Sequence, residues 1–296
     1  MSSRRYKEQI AGFCFVLPAI VVLGLLLLYP VVTSVFYSFT SKHLIKANYE
    51  FVFFKNYIDV LTDEKFWTSF LMNIKWTVVS LFFQILVGFF AALALERIKV
   101  GKSLYRTILI IPWAFPSIVI ALSWKWILNG VSGFLPNTMV KLGLAESIPQ
   151  FLSSAELVFP TMVFINVWFG APLIMVNVLS ALQTVPKDQY EAAQVDGASS
   201  LQSFLHITLP HIRVVMGLLV VLRTIWIFNS FDMIYLITGG GPGGLTQTVP
   251  IYAYNVGWGL KMLGRSSAVT VLLLIFLLLV CRVYFHLLDK WENEVA

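Results

Sequence analysis

Long apolar runs separated by short polar segments make up most of this chain. Six runs reach the length of about 20 residues that a helix needs to cross a bilayer; they lie at roughly 10–38, 67–95, 104–128, 157–182, 212–236 and 266–287. Lipid offers the backbone no hydrogen bonds, so helices are the expected form of each run. The pattern therefore predicts an all-α membrane protein with six transmembrane helices, folded as one domain over 1–296.

The composition agrees with a membrane location and argues against a soluble fold. Hydrophobic residues make up 58% of the chain and charged residues 12%, which is too little charge to cover a soluble domain of this length. The net charge of +6 is explained by Lys and Arg beside the spans, so no nucleic-acid partner is expected. Cys14 and Cys281 lie in apolar runs and are interpreted as small buried hydrophobic residues without a disulfide.

The distribution of Lys and Arg predicts which span ends face the cytosol. The first apolar run is too long for a secretory signal and no small-residue cleavage site follows it, so it is interpreted as a retained span. With a cytosolic N-terminus, eleven Lys and Arg residues lie on the cytosolic side, seven on the outer side and three within spans. This bias predicts that both termini and the polar segment Glu191–Pro210 are cytosolic.

The polar segment between spans four and five predicts two short helices. Pro186 can begin the first helix and Gly197 can end it. The stretch after Gly197 has apolar residues at helical spacing, and Pro210 is interpreted as a break before span five. This second helix can rest on lipid headgroups as an amphipathic interfacial helix, or it can belong to a segment that docks on another protein.

The same segment carries a spaced motif. Glu191-Ala192-Ala193 is followed after three residues by Gly197, and after nine more by Ile207-Thr208-Leu209-Pro210. This spacing resembles the EAA loop of ABC importer permeases. Two longer runs, at Asn166–Ala198 and at Phe228–Pro242 ("FNSFDMIYLITGGGP"), are similar to the carbohydrate-uptake group that includes the maltose-type permeases. The resemblance covers most of the chain after about residue 70.

The resemblance implies a transport subunit that is not itself an enzyme. It implies that the loop docks on a cytosolic ATPase, with the coupling residues at Glu191, Ala192, Ala193, Asp196 and Gly197. The implied partners are a second related permease, two cytosolic ABC ATPase subunits, an extracytoplasmic sugar-binding protein and membrane lipid. The implied location is a prokaryotic cytoplasmic (inner) membrane.

Catalytic motifs are not evident in the sequence. It contains no phosphate-binding G-x-x-x-x-G-K-[ST] loop, and "GGGPGG" at 239–244 has no Lys and is interpreted as a turn. The four histidines have no metal-ligand spacing. We therefore expect no catalytic residue, no metal and no cofactor on this chain; the resemblance assigns ATP and Mg to the partner ATPase.

Polar residues within spans four and five are the candidates for a solute pathway, because sugars are held by hydrogen bonds and by stacking on aromatic rings. Arg223 lies ten residues after Arg213, which at about 1.5 Å per residue predicts a depth of roughly 15 Å. The candidates are Asn166, Gly170, Leu173, Arg223, Trp226, Asn229, Ser230 and Asp232. The resemblance places four of them at sugar-contact positions, namely Asn166, Gly170, Trp226 and Ser230. Leu173 stands where a bulkier polar ring can occur in relatives.

Other interpretations of these polar residues stay open. They can serve only to hold helices together, and Arg223 can be paired with carbonyls or with an acid of a partner subunit. An ion-coupled secondary transporter of a small polar solute is an alternative, although no acid is predicted at the bilayer midplane. A membrane scaffold or receptor without transport is a further alternative.

Overall fold

The computed structural model describes residues 2–293, and these residues are almost entirely helical. Met1 and residues 294–296, which belong to the termini predicted to be cytosolic, lie outside the described residues. The helices, in chain order, are α1 Ser2–Leu23, α2 Tyr29–Ser38, α3 Lys55–Leu61, α4 Glu64–Arg97, α5 Lys102–Ala114, α6 Ser117–Ile127, α7 Phe134–Lys141, α8 Val158–Leu182, α9 Lys187–Val195, α10 Ser200–Ser203, α11 Leu209–Phe228, α12 Asp232–Thr238, α13 Val249–Tyr254 and α14 Leu263–Asn293.

Three π-helical turns extend these helices, at Gly24–Leu28, Phe204–Thr208 and Asn255–Gly259. Between residues 2 and 293 no β-strand is formed, and the only β-type pairing is an isolated bridge between Thr40 and Phe51. The predicted all-α fold is therefore confirmed.

Within residues 2–293, five helical segments are long and apolar enough to span a bilayer. They are Gly12–Ser38, Glu64–Arg97, Val158–Leu182, Ser200–Phe228 and Leu263–Leu288. A sixth span is obtained if α5 and α6, which meet at a bend of 90°, are counted together. The predicted count of six spans is thus reached only with this bent pair.

The predicted span over 104–128 is bent at its centre. Phe115 has extended backbone angles (φ −93°, ψ 148°) and Pro116 follows it. A residue before proline is sterically disfavoured from the helical region, and proline donates no backbone hydrogen bond. The chain therefore turns between Ala114 and Ser117 instead of continuing as one rod.

Span five differs from its predicted bounds of 212–236 at both ends. The helix passes through the π-turn Phe204–Thr208 into α11 without the break predicted at Pro210. At the other end α11 stops at Phe228, and a new helix, α12, begins at Asp232. The residues between them form a break inside the predicted span.

The chain divides into two compact units. The first comprises residues 1–66 and 253–275, and the second comprises residues 67–252 and 276–296. In the first unit the buried Asn56 amide donates to the carbonyls of Ser38 and Thr40, each at 2.8 Å, and Arg265 pairs with Asp63 at 2.8 Å. The one-domain organisation stays a prediction.

Helix α8 is the centre of the second unit. In the apolar stretch of α8 that is long enough to span a bilayer, 67% of the stretch is buried inside the protein. The corresponding share is 28% for Glu64–Arg97 and for Ser200–Phe228. Ile165, Ile174 and Val178 are fully buried in two apolar clusters that also include residues of α4, α6, α11 and α12. Because α8 is fixed by these clusters, polar side chains on its faces are held in defined positions.

Candidate functional site

A cavity of about 240 Å³ lies where α11 ends, within the second unit. Helix α8 contributes the buried Asn166, and the start of α6 contributes Ser117. The remaining wall comes from the end of α11, the break after it and the start of α12. The residues that line the cavity are Ser117, Asn166, Phe169, Arg223, Trp226, Ile227, Asn229, Ser230, Phe231, Asp232 and Met233. Six of the eight predicted pathway residues are among them.

A guanidinium group is held at the buried end of this cavity. Arg223 is only 4% exposed, and its Nε and Nη2 atoms both donate to Oε1 of Gln84, at 2.9 and 2.6 Å. Gln84 is fully buried and its Nε2 donates to the carbonyl of Asn166 at 2.8 Å. The guanidinium carbon also lies 5.6 Å from the centre of the Trp226 ring. One hydrogen-bonded cluster therefore joins α4, α8 and α11.

Gly170 and Leu173 are not in the cavity wall. A Cβ atom at Gly170 would overlap the Arg223 guanidinium and the Gln84 amide, so this glycine leaves the space that the two side chains occupy. Leu173 lies one turn further along α8, and its carbonyl accepts a hydrogen bond from Asn177 at 2.8 Å. The structure thus places Gly170 behind the polar cluster and Leu173 away from the cavity.

A buried polar stripe on α4 was not predicted. Asn73, Thr77, Ser80 and Gln84 follow one another at helical spacing of three or four residues, and all four side chains are buried. Asn73 donates from Nδ2 to the carbonyl of Phe228 at 3.2 Å, whereas its Oδ1 and the hydroxyl of Ser80 have no partner in the part of the chain that the structure describes. The recurrence of amide and hydroxyl side chains on one face of an apolar run is the sequence signal that could have identified this stripe.

Three of the predicted pathway residues, Trp226, Asn229 and Asp232, are exposed around the break after α11. Asn229 caps α11, with its Nδ2 donating to the carbonyl of Ile225 at 2.9 Å. Trp226 is 52% exposed, so one face of its indole is free to contact another molecule. Asp232 is exposed and stands in the first turn of α12, where a carboxylate is favourable to the helix dipole.

The segment between α8 and α11 folds as a helical hairpin, here defined as residues 187–208. Gly197 makes the turn after α9 with φ +78°, a conformation that favours glycine. Ser199 then caps α10 in a reciprocal capping box with Gln202. The Tyr190 and Thr208 hydroxyl oxygens lie 2.6 Å apart across the hairpin. The hairpin is therefore stiffened at its turn and at its base.

The outer surface of the hairpin mixes charge with uncovered apolar groups. Glu191, Ala192 and Asp196 are exposed, as is Gly197 at the turn, while Ala193 is half-buried. Val195 is 88% exposed and Leu201 is 67% exposed. Tyr190 and Ile207, in contrast, pack against the apolar cluster that contains Val178 and Ile212. One side of the hairpin is thus attached to the spans, and the other is open.

The chemistry of these two regions is that of binding. In the described part of the chain, no group of three or more His, Cys, Asp or Glu could hold a metal ion. The cavity supplies hydrogen-bond donors, hydrogen-bond acceptors and an aromatic face. Together the helical spans, the cavity and the hairpin define a membrane-spanning helical protein with a polar cavity and a partly exposed helical hairpin.

The chain belongs to the family described as the inner membrane component of binding-protein-dependent transport systems, whose pattern matches residues 84–292. This confirms the family resemblance that the EAA spacing carries. The matched region includes Gln84, the cavity and the hairpin, but not the first apolar run.

Similar proteins of known name include two sugar permeases. The permease protein MalF of the trehalose/maltose transport system of Thermococcus litoralis is 34% identical over 284 residues, which cover 96% of this chain and 95% of that protein. The permease protein DasB of the diacetylchitobiose uptake system of Streptomyces coelicolor is 32% identical, over 96% of this chain and 88% of that protein.

A solved structure supports the fold. A chain of a bacterial ABC transporter involved in the import of the acidic polysaccharide alginate superposes with a TM-score of 0.84 and 21% identity. The match covers 97% of this chain and 98% of the other chain. The helical architecture described above is therefore shared with that chain.

Proposed function

We propose that this chain is one of two permease subunits of an ATP-driven, binding-protein-dependent carbohydrate importer. The observation that carries the proposal is the cavity at the end of α11, where Trp226 offers an aromatic face beside Asn166, Asn229 and Ser230. Stacking and hydrogen bonding from one wall is the combination that a sugar ring requires. The names of the sugar permeases that this chain resembles support the same class of solute.

The hairpin couples this pathway to ATP hydrolysis in the proposal. Val195 and Leu201 are apolar side chains exposed on the open side of the hairpin, and they suit a groove on another protein. Glu191, Asp196 and the turn at Gly197 lie on the same segment, with Ala192 and Ala193 allowing close approach of a partner backbone. The partner is a cytosolic ABC ATPase, present as two subunits that bind ATP and Mg.

The remaining parts of the assembly follow from this role. A second, related permease completes the pathway, and an extracytoplasmic sugar-binding protein delivers the solute. The complex lies in a prokaryotic cytoplasmic membrane, with the termini and the hairpin on the cytosolic side. A solved relative supports delivery by a binding protein, since an alginate ABC transporter was crystallised with a periplasmic protein bound to alginate pentasaccharide.

The proposal is tested by ATPase activity of the purified assembly in nanodiscs. The chain is co-expressed with the ATPase, permease and binding protein encoded beside it, and a panel of neutral and acidic sugars is added. Stimulation by a sugar only when the binding protein is present supports an importer. The proposal is contradicted if no ATPase copurifies with the chain. It is also contradicted if no sugar changes the rate of ATP hydrolysis, with or without the binding protein.

A further inference from the structure

We propose that the buried end of the cavity recognises an anionic group on the transported sugar, with a carboxylate as the best fit. This inference rests on the proposed function and specifies the chemical class of its solute. It starts from an imbalance of charge: Arg223 lines the cavity, yet its hydrogen bonds within residues 2–293 are to the neutral amide of Gln84 alone.

The buried end of the cavity has hydrogen-bond donors that are not used. A guanidinium group carries five N–H donors, and the bonds to Gln84 come only from Nε and Nη2. The Nη1 amino group therefore has no partner among the described residues. Asn166 is 5% exposed and its Nδ2 is also without a partner. Two side chains of the same wall thus have N–H groups without an acceptor among the described residues, which calls for a ligand rich in acceptors.

Charge decides between an anionic ligand and a neutral one. A buried cation that is paired only with an amide loses much of its hydration without the compensation of an opposite charge. A carboxylate restores that charge balance, and its planar geometry matches the fork of a guanidinium. A sugar hydroxyl can accept the same hydrogen bonds but leaves the positive charge in place. The site therefore favours an acidic sugar over its neutral counterpart.

The rest of the cavity orients such a sugar. The ring of Trp226 lies beside the guanidinium and is half exposed, so a sugar ring stacked on it has one edge near Arg223. The other charged residue in the wall, Asp232, is exposed and belongs to α12, beyond the break. Its carboxylate repels an anion at that end and accepts hydrogen bonds from sugar hydroxyls. The anionic group is consequently directed to the buried end.

The test compares sugars that differ only in charge. Maltose, trehalose and cellobiose are each used as such and after oxidation of a primary alcohol to a carboxylate. Each probe is titrated on the complete assembly with binding protein, and the half-maximal concentration for ATPase stimulation is measured. We expect an acidic form to act at a concentration about tenfold lower than its neutral partner, the difference that a charge-assisted hydrogen bond produces.

Three variants connect the preference to this site. Arg223→Gln removes the charge, and Gln84→Glu supplies an internal carboxylate that neutralises Arg223. Both are expected to abolish the preference for the acidic sugar, so the inference stays testable if either one fails to assemble. Arg282→Gln, which removes an exposed charge from α14, serves as the control and is expected to leave the preference intact.

The outcomes separate this inference from the function on which it rests. Stimulation by neutral sugars alone, or an acidic preference that Arg223→Gln and Gln84→Glu both leave unchanged, would overturn the anionic site and leave a carbohydrate importer. Absence of stimulation by any probe or panel sugar would contradict the importer itself.

Discussion

The hydroxyl oxygens of Tyr190 and Thr208 lie 2.6 Å apart, and the hydrogen bond between them joins α9 to the π-turn that leads into α11. Both residues stand at the base of the hairpin, on the side that is attached to the spans. Because the π-turn continues into α11 without a break, a force applied to α9 is transmitted to the helix whose far end forms the cavity. This connection is the mechanical basis of the coupling that we propose.

Tyr190→Phe tests that connection with the loss of a single oxygen atom. The hydrogen bond contributes on the order of 1 kcal/mol, so we expect the assembly to form while the hairpin loses stiffness. Sugar-stimulated ATPase activity should fall several-fold relative to unstimulated activity, measured in nanodiscs. Tyr105→Phe, at an exposed tyrosine on α5, should leave the ratio unchanged; an equal effect of both variants would show that the contact has no coupling role.

Gly197→Ala examines the turn of the hairpin. Gly197 has φ +78°, and a Cβ atom there costs about 1–2 kcal/mol through backbone strain even though no neighbour lies within 4 Å. We expect the turn between α9 and α10 to be distorted and sugar-stimulated ATPase activity to fall, while the chain still inserts in the membrane. Gly143→Ala is the matched control, since Gly143 has φ +69° and equally open space. Equal losses in the two variants would contradict docking at residues 187–208.

Gly170→Ala probes the space behind the cavity. The added methyl group would overlap the Arg223 guanidinium and the Gln84 amide, and overpacking of this kind costs about 1–3 kcal/mol. Thermal unfolding of the purified permease should therefore shift to lower temperature, and the sugar concentration for half-maximal stimulation should rise. Gly12→Ala, at a helical glycine with nothing within 4 Å, should have no such effect. Unchanged unfolding and sugar response in Gly170→Ala would argue against the described cluster.

Trp226→Leu removes the aromatic face of the cavity. Stacking of a sugar ring on the indole would be lost, and we expect the half-maximal sugar concentration to rise about tenfold, in line with 1–3 kcal/mol for burying a large side chain against a ligand. The control is Trp126→Leu, because Trp126 is 79% exposed on α6 and is not among the lining residues of the cavity. A sugar response that Trp226→Leu leaves at its original concentration would place the sugar elsewhere.

Much of this fold could be predicted from the sequence because hydrophobic length is a direct physical requirement of the bilayer. The helices and the turn at Gly197 follow from such local signals. The bend at Pro116 is local as well, since it follows from the steric effect of proline on Phe115. The break at Asn229 has no such marker in the sequence, although the Asn229 side chain donates to the carbonyl of Ile225 there. Asn73 donates to the carbonyl of Phe228, a partner 155 residues away, and no local pattern shows that contact.

In the candidate site, too, local sequence signals predict some of the residues, whereas others depend on contacts between distant parts of the chain. Asn166, Arg223, Trp226, Asn229, Ser230 and Asp232 were selected as polar or aromatic residues in apolar spans, and the structure brings all six to one cavity. Gln84 was missed because its role depends on α11, which places Arg223 against it from 139 residues away. Gly170 leaves space beside α8, and that space is occupied by the side chains of Arg223 and Gln84. Contact of these residues with a sugar stays a prediction.

Uphill sugar uptake into proteoliposomes tests the central claim most directly, because it separates an ATP-driven importer from an ion-coupled transporter. The complete assembly is reconstituted with the binding protein on one face and ATP with Mg available to the ATPase on the other. We predict accumulation of labelled sugar against its gradient only with ATP and binding protein together, and not with an imposed proton or sodium gradient. Accumulation driven by an ion gradient in the absence of ATP would contradict the account.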